Sequence, residues 1–246
     1  MTDSPIRREA DRMAVRLTAQ VAEQPAVRAV LRKAVGRRVE DPALLPVHAL
    51  VVPHLDDLRE STGEDLSAAV ERAFYAVAGL IAAQPRQARD QDLAALEELR
   101  RDRTEGNAPV SSGDGPADAA PAKGTGRRAN LGTSLGLAAA GHVLNPSTTE
   151  DRLHLLCRQS LDGMHHHLPR LVVHARGEKV HIDWGQLVLD LARWEGERGL
   201  VAKEWLQGYH RTIHQEQRKA EAERRTATAE GTDGNTHHDD AKDGSA

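Results

Sequence analysis

The sequence predicts an all-α protein, built as two helical bundles that are joined by a long disordered linker and followed by a disordered C-terminal tail. Apolar residues recur at helical spacing along most of the chain. Only six residues are aromatic, which makes a β-sandwich unlikely because strands favour aromatic side chains. A stretch rich in Gly, Ala, Pro and Ser interrupts the helical pattern. We therefore expect an N-terminal bundle (1–85), a disordered linker (86–126), a C-terminal bundle (127–214) and a disordered tail (215–246).

A short amphipathic helix is predicted near the start of the N-terminal bundle. Its apolar residues fall at i, i+3, i+4, i+7 and i+8: Val27, Val30, Leu31, Ala34 and Val35. Pro25 suits the first turn of this helix and Gly36 suits its end. The three prolines of residues 41–54 then favour a loop or a short broken helix.

A longer helix completes this bundle. Ser61, with Glu64 three residues later, predicts a capping box at its start. Pro85 ends its apolar stripe, and residues 91–103 beyond it are compatible with a further, charge-dense helix.

The C-terminal bundle is predicted from five helical patterns, which bring the total to seven to nine helices. They cover residues 131–143, 149–160, 167–176, 184–194 and a long stretch from 200 onwards. Thr148 and Asp183 are the expected caps of the second and fourth patterns, and Gly163 is expected to break the chain between the second and the third.

A cluster of positive charge stands out in a chain whose formal net charge is −4. Residues 27–38 hold five cations and no carboxylate: Arg28, Arg32, Lys33, Arg37 and Arg38. The acidity lies in residues 84–126 and 215–246, which together carry five more anions than cations, so the rest of the chain is close to neutral. Arg28 and Arg32 are four residues apart and share one flank of their helix. An anion-free basic edge of this kind favours contact with phosphates.

No arrangement of side chains predicts catalysis, a cofactor or a metal. Three consecutive histidines, His165, His166 and His167, point about 100° apart on a helix and do not converge on one ion. Cys157 has apolar neighbours at helical spacing and is expected to fill the core. With this one cysteine, and with no secretory signal or membrane span, the sequence predicts a cytoplasmic protein. The residues favour a binding or scaffolding protein over an enzyme.

The order of these motifs resembles the small subunit of the type I-E CRISPR surveillance complex, Cascade (the CasB family). The resemblance lies in LRKAVGRR, in ERAFYAVAGLIAAQP, in RANLGTSLG and in the long stretch from RLHLLCRQSLDGMHHHLPRLVVHARGEKVHIDWGQ to VAKEWLQGYHR. These segments cover residues 31–38, 71–85, 128–136 and most of 152–211.

The resemblance implies an all-helical, non-catalytic subunit that needs no cofactor. Its partners would be the other Cascade subunits, the CRISPR guide RNA, the target DNA with its displaced strand, and a second copy of itself, with no membrane involved. Such subunits brace the guide RNA–target heteroduplex and hold the displaced strand in a basic groove. Carried over by motif position, the expected backbone contacts are Arg28, Arg32, Lys33, Arg37 and Arg38, followed by Arg127, Arg128 and Arg170.

Two other readings of the sequence remain. The chain could be a free-standing helical adaptor that binds a protein partner through an apolar groove. It could also be an enzyme whose histidines hold a metal, with His154, His174 and His181 as additional ligands.

Overall fold

The computed structural model describes residues 4–105 and 128–232, and within these ranges it confirms the all-α class. Nine α-helices and two short 3-10 helices, with no strand, make up the described chain. The α-helices are α1 (Pro5–Glu23), α2 (Pro25–Leu31), α3 (Leu45–Thr62), α4 (Ala68–Ala83), α5 (Arg86–Glu105), α6 (Leu131–Ala140), α7 (Pro146–Cys157), α8 (Leu161–Gly177) and α9 (Trp184–Thr232). None of the described helices combines the length and the apolar character that a membrane span requires.

The first amphipathic helix forms as predicted. Pro25 begins α2, and a 3-10 turn over Arg32–Ala34 extends it. Gly36 ends the element with φ +71°, a left-handed conformation that glycine adopts at little cost.

Two predictions for the N-terminal segment were wrong. The proline-rich stretch is mostly helical, because Pro46 lies in the first turn of α3, where its missing N–H is not needed, and Pro53 is accommodated inside that helix. Ser61 lies within α3 and donates its hydroxyl to the Leu58 carbonyl, so it caps nothing. The cap of α4 is Ser67, whose hydroxyl accepts a hydrogen bond from the Val70 amide at 3.3 Å.

The boundaries of the predicted linker and tail are also corrected. Helix α5 occupies the first twenty residues assigned to the linker, and α9 continues past residue 214 to Thr232. Both stretches are rich in Ala, Glu, Arg and Gln, which are strong helix formers despite their charge. Ala88 is fully buried and anchors α5 to the rest of the protein. The remainder of the linker and of the tail lies outside the described residues.

Of the three boundary signals predicted in the C-terminal segment, two caps and one break, one cap is confirmed and the other two signals are wrong. Asn145, and not Thr148, caps α7, since its side chain accepts from the Thr148 amide at 3.0 Å. Ser160 caps α8 by accepting from the Gly163 amide, so Gly163 lies inside a helix that it was expected to interrupt. The predicted cap Asp183 is confirmed by a 2.9 Å hydrogen bond from the Gln186 amide.

Helix α9 organises the core. It bends at Glu197, where φ is −126° and ψ is 27°, and it packs against α1, α4 and α6. A Cβ atom at Gly132 would lie 1.8 Å from the Trp205 carbonyl oxygen, so only glycine lets α6 approach α9 this closely. Buried side chains from both predicted bundles join one hydrophobic cluster. The division into two domains stays a prediction.

A buried carboxyl joins the two parts of α9 across the bend. Asp190 accepts hydrogen bonds from the Trp205 indole at 2.6 Å and from the Gln186 amide nitrogen at 2.8 Å. Burial raises the pKa of Asp190 to about 6, while these two hydrogen bonds act in the opposite direction. The folded protein therefore holds this proton more tightly than an unfolded chain with an aspartate pKa of 3.8.

Replacing Asp190 by asparagine should change how stability depends on pH. In the wild type this group makes the free energy of unfolding fall as pH rises from about 4 to about 6, because the folded state must give up a proton that it binds preferentially. Between pH 4 and pH 6 the free energy of unfolding of the variant, measured relative to that of the wild type, should therefore increase by on the order of 2–3 kcal/mol. Urea unfolding at pH 4, 5, 6 and 7 measures this, with the exposed Asp151→Asn on α7 as control. If the difference in free energy of unfolding between the wild type and the Asp190 variant is the same at all four pH values, Asp190 is not a buried titrating group.

Candidate nucleic-acid interface

The packing of α2 orients its basic edge outward. Leu31 and Ala34 are buried on the apolar face of this element. Gly79 of α4 lies directly below, and a Cβ atom there would be 3.0 Å from the Val35 amide nitrogen. Because the apolar face is held so closely against α4, the opposite edge of the element faces solvent.

Three cations on this edge have no carboxylate partner in the described part of the protein. They are Arg28, Arg32 and Lys33. Arg32 and Lys33 are exposed, and Arg28 is half-buried. Their positive charge is thus available to an anion from outside.

Helix α5 adds two further cations to the same region. The pKa of Arg89 is lowered, first by burial and then by the positive charges of Arg28, Arg32 and Arg86, with Asp90 acting in the opposite direction. Arg86 has one weak ion pair, at 3.6 Å to Asp90. We call Arg28, Arg32, Arg86 and Arg89 the cationic cluster. Arg86 and Arg89 are not among the contacts that the sequence predicts, because they fall in the expected linker (86–126).

The other two cations of the predicted basic stretch are paired with carboxylates. Arg37 bonds to Asp41 at 2.7 Å, and Arg38 bonds to Asp162 of α8, which also accepts from Arg72 at 2.5 Å. A backbone hydrogen bond from Ala43 and then the Arg37 guanidinium lower the pKa of Asp41. The pKa of Asp162 is lowered by Arg72 and then by Arg38.

The remaining predicted contacts are dispersed. Arg127 lies outside the described residues, and Arg170 is exposed on α8. Arg128 makes four hydrogen bonds to the carboxylates of Asp11 and Asp183. Burial lowers the pKa of Arg128, but the bonds to these carboxylates outweigh it and raise the pKa overall. This geometry favours a structural role for Arg128, as a tie between α1 and the start of α9.

The consecutive histidines do not come together as a ligand set. Burial, and next the charge of Arg72, lower the pKa of His165 to about 4, whereas Asp162 acts to raise it. The rings of His166 and His167 meet edge to face at 5.0 Å. His165 is therefore held neutral in the core near neutral pH.

Two other groups of potential metal ligands occur among the described residues. One is Glu150, His154 and His210, and the other is Glu9, His54 and Asp57. Two members of each group are neighbours on one helix, since Glu150 and His154 are four residues apart and His54 and Asp57 are three apart. Their third members come from distant helices, which no local pattern reveals.

Cys157 packs against the hydrophobic cluster, as expected of a core residue. Its thiol lies 3.9 Å from the Ala202 carbonyl oxygen. Burial raises the pKa of this thiol to about 11, so the reactive thiolate is disfavoured.

Comparison with known proteins identifies the family. The family described as CRISPR-associated protein Cse2 matches residues 27–210, about three quarters of the chain. The chain belongs to the Cse2 family. This confirms the assignment that the motif order suggested. The matched range begins at the first turns of α2, and so includes the whole cationic cluster of this Cse2 protein.

Solved structures agree with this assignment. A chain of a "CRISPR RNA-guided surveillance complex" is 42% identical, with 87% of this chain and 99% of that chain covered and a TM-score of 0.65. A chain of a "CRISPR RNA-guided surveillance complex, pre-nicking" has the same identity and coverage and a TM-score of 0.67. CasB from M. ruber, 20% identical over 83% of this chain and 96% of its own, shares the fold with a TM-score of 0.52. No curated protein sequence matches.

Proposed function

We propose that this Cse2 family member is a non-catalytic small subunit of a type I-E Cascade complex in the cytoplasm. It binds the other subunits, a second copy of itself, the guide RNA and the target DNA. Its basic helix edges brace the guide RNA–target heteroduplex and the displaced strand. In RNA-guided recognition base pairing reads the sequence, which leaves backbone and shape to the protein.

The observation that carries the proposal is the cationic cluster, in which the exposed Arg32 and Arg86 and the half-buried Arg28 and Arg89 bring like charges from α2, its 3-10 extension and α5 close together. Such a cluster is costly unless an external anion compensates it, and the phosphates of a nucleic acid are suited to do so. Guanidinium groups at helix edges recognise phosphates without reading bases.

The placement of the aromatic residues supports recognition of the backbone. All six aromatic side chains of the protein are buried: Phe74, Tyr75, Trp184, Trp194, Trp205 and Tyr209. Proteins that bind single strands by stacking bases need exposed aromatic rings. The tryptophans are core anchors, and this chain would hold a displaced strand by charge.

The solved relatives support the choice of assembly. Two chains that are 42% identical to this one belong to CRISPR RNA-guided surveillance complexes. The match to this protein covers 99% of the length of each of these two chains.

Co-expression tests the proposed assembly. The full chain is produced with the remaining Cascade subunits and a guide RNA, and another subunit carries the affinity tag. We expect the chain to elute with the complex in a fixed ratio. If it is absent from the purified complex, the proposal is wrong. If the chain instead binds one protein partner and does not bind nucleic acid at low salt, the hypothesis of a helical adaptor replaces this proposal.

A further inference from the structure

A carboxylate and two imidazoles meet where α7 lies against α9. Glu150 and His154 are one turn apart on α7, and His210 comes from α9. The Oε1 atom of Glu150 lies 3.7 Å from Nε2 of His154 and 3.8 Å from Nε2 of His210. Ligand atoms of all three side chains lie within 4.8 Å of one another.

These separations are close to those around a bound zinc ion. With metal–ligand bonds of about 2.0–2.1 Å and tetrahedral angles, two ligand atoms stand about 3.3 Å apart. The two pairs that share the Glu150 oxygen therefore need to close by about half an ångström, and the two imidazole nitrogens, which lie within 4.8 Å of each other, by at most about 1.5 Å. The side chains are 42–50% exposed, so they can rotate and an ion can reach them.

The backbone beneath this group is fixed by packing. The Tyr209 hydroxyl donates to the Pro146 carbonyl at 2.9 Å and joins α9 to the first turn of α7. Leu153 and Leu156 of α7 are buried in the hydrophobic cluster. The two helices thus present their ligands in one place before any ion arrives, which lowers the entropic cost of binding.

We propose that Glu150, His154 and His210 form a binding site for a divalent transition metal of the zinc class. Two imidazoles and one carboxylate suit zinc and its neighbours, and exclude a preference for calcium or magnesium. Three protein ligands leave a fourth position for water or for a ligand from a partner. The site lies apart in sequence from the cationic cluster and does not depend on the proposed function.

Without a metal, each imidazole faces the Glu150 carboxylate, and the two rings lie 6.5 Å apart between centroids. One carboxylate shared by two exposed imidazoles is a weak interaction in water. A metal ion would use all three side chains at once, so the two interpretations differ in whether both histidines are needed together.

Zinc titration of the full chain tests the site, with a chromogenic chelator as competitor. We expect one equivalent of Zn²⁺ to bind to the wild type more tightly than to the His154→Ala/His210→Ala variant by more than about tenfold. Even the hydrogen-bond partners of metal ligands change affinity by about this factor. His214→Ala, an exposed histidine one turn further along α9, is the matched control and should bind as the wild type does.

Two additional measurements make the result decisive. Co²⁺ should give the visible absorption bands of a nitrogen-ligated ion in the wild type and in the control, but not in the double variant. Zn²⁺ should raise the Tm of the wild type and leave that of the double variant unchanged. Equal zinc affinity of the wild type and the double variant would overturn the proposal, as would a wild type that binds no zinc.

Discussion

Replacement of Arg176 by methionine should lower the free energy of unfolding by about 3–5 kcal/mol. The Arg176 side chain is only 1% exposed, and its guanidinium bonds to Gln84 and Asp92 at 2.5 Å and to the carbonyls of Val180 and Ala88 at 2.7 and 3.1 Å. Methionine fills similar volume but leaves the Asp92 carboxylate, the Gln84 side-chain oxygen and two backbone carbonyls without this donor. Urea unfolding at pH 7 measures the loss.

Arg170→Met on the same helix is the matched control. Arg170 is exposed, so its replacement should change the free energy of unfolding by no more than about 0.5 kcal/mol. Arg176 joins α8 to α5, and amide exchange in α5 should therefore accelerate in the Arg176 variant. Similar stabilities for the two variants would mean that the buried network contributes little.

Combined alanine replacement of Arg28, Arg32 and Lys33 should weaken target DNA binding by the assembled complex and flatten its salt dependence. Each phosphate contact on duplex DNA contributes about 0.9 to the log–log slope, so three contacts contribute about 2.7. Raising salt from about 50 to 200 mM would then cost the wild type about 40-fold more affinity than the variant. Binding isotherms at a series of salt concentrations measure this slope.

A charge-matched variant separates local contact from net charge. Arg152, Arg158 and Lys219 are exposed and lie outside the cationic cluster. Their combined replacement by alanine removes the same three charges and should leave the slope near its wild-type value. Equal slopes for the two triple variants would place the phosphate contacts elsewhere on the protein.

The elements that the sequence predicted correctly are those defined by local signals. Pro25 begins a helix and Gly36 ends its 3-10 extension, because each has the backbone preference that its position requires. Asp183 caps α9, the helix that follows it directly in the sequence. Where two local signals competed, the choice was wrong. Asn145 and Thr148 are both good caps, and Pro146, which favours the first helical position, decides for Asn145.

The basic edge could be predicted only in part. Its outward flank follows from helical spacing, because Arg28 and Arg32 are four residues apart. Pairing of Arg38 with Asp162 spans 124 residues, and pairing of Arg128 with Asp11 spans 117. No local pattern predicts such long-range pairs. The sequence therefore predicts more unpaired cations, in residues 27–38 and at Arg128, than the structure contains. In the structure Arg86 and Arg89 of α5 add two cations close to Arg28 and Arg32.

The proposed role of this chain is to hold nucleic acid within the complex by contacting the sugar–phosphate backbone. The most direct test compares target DNA affinity of the complex assembled with and without this chain, for two guides of unrelated sequence. We expect the chain to tighten binding by the same factor for both targets, and more strongly at low salt. No tightening, or tightening for one sequence alone, would contradict this account.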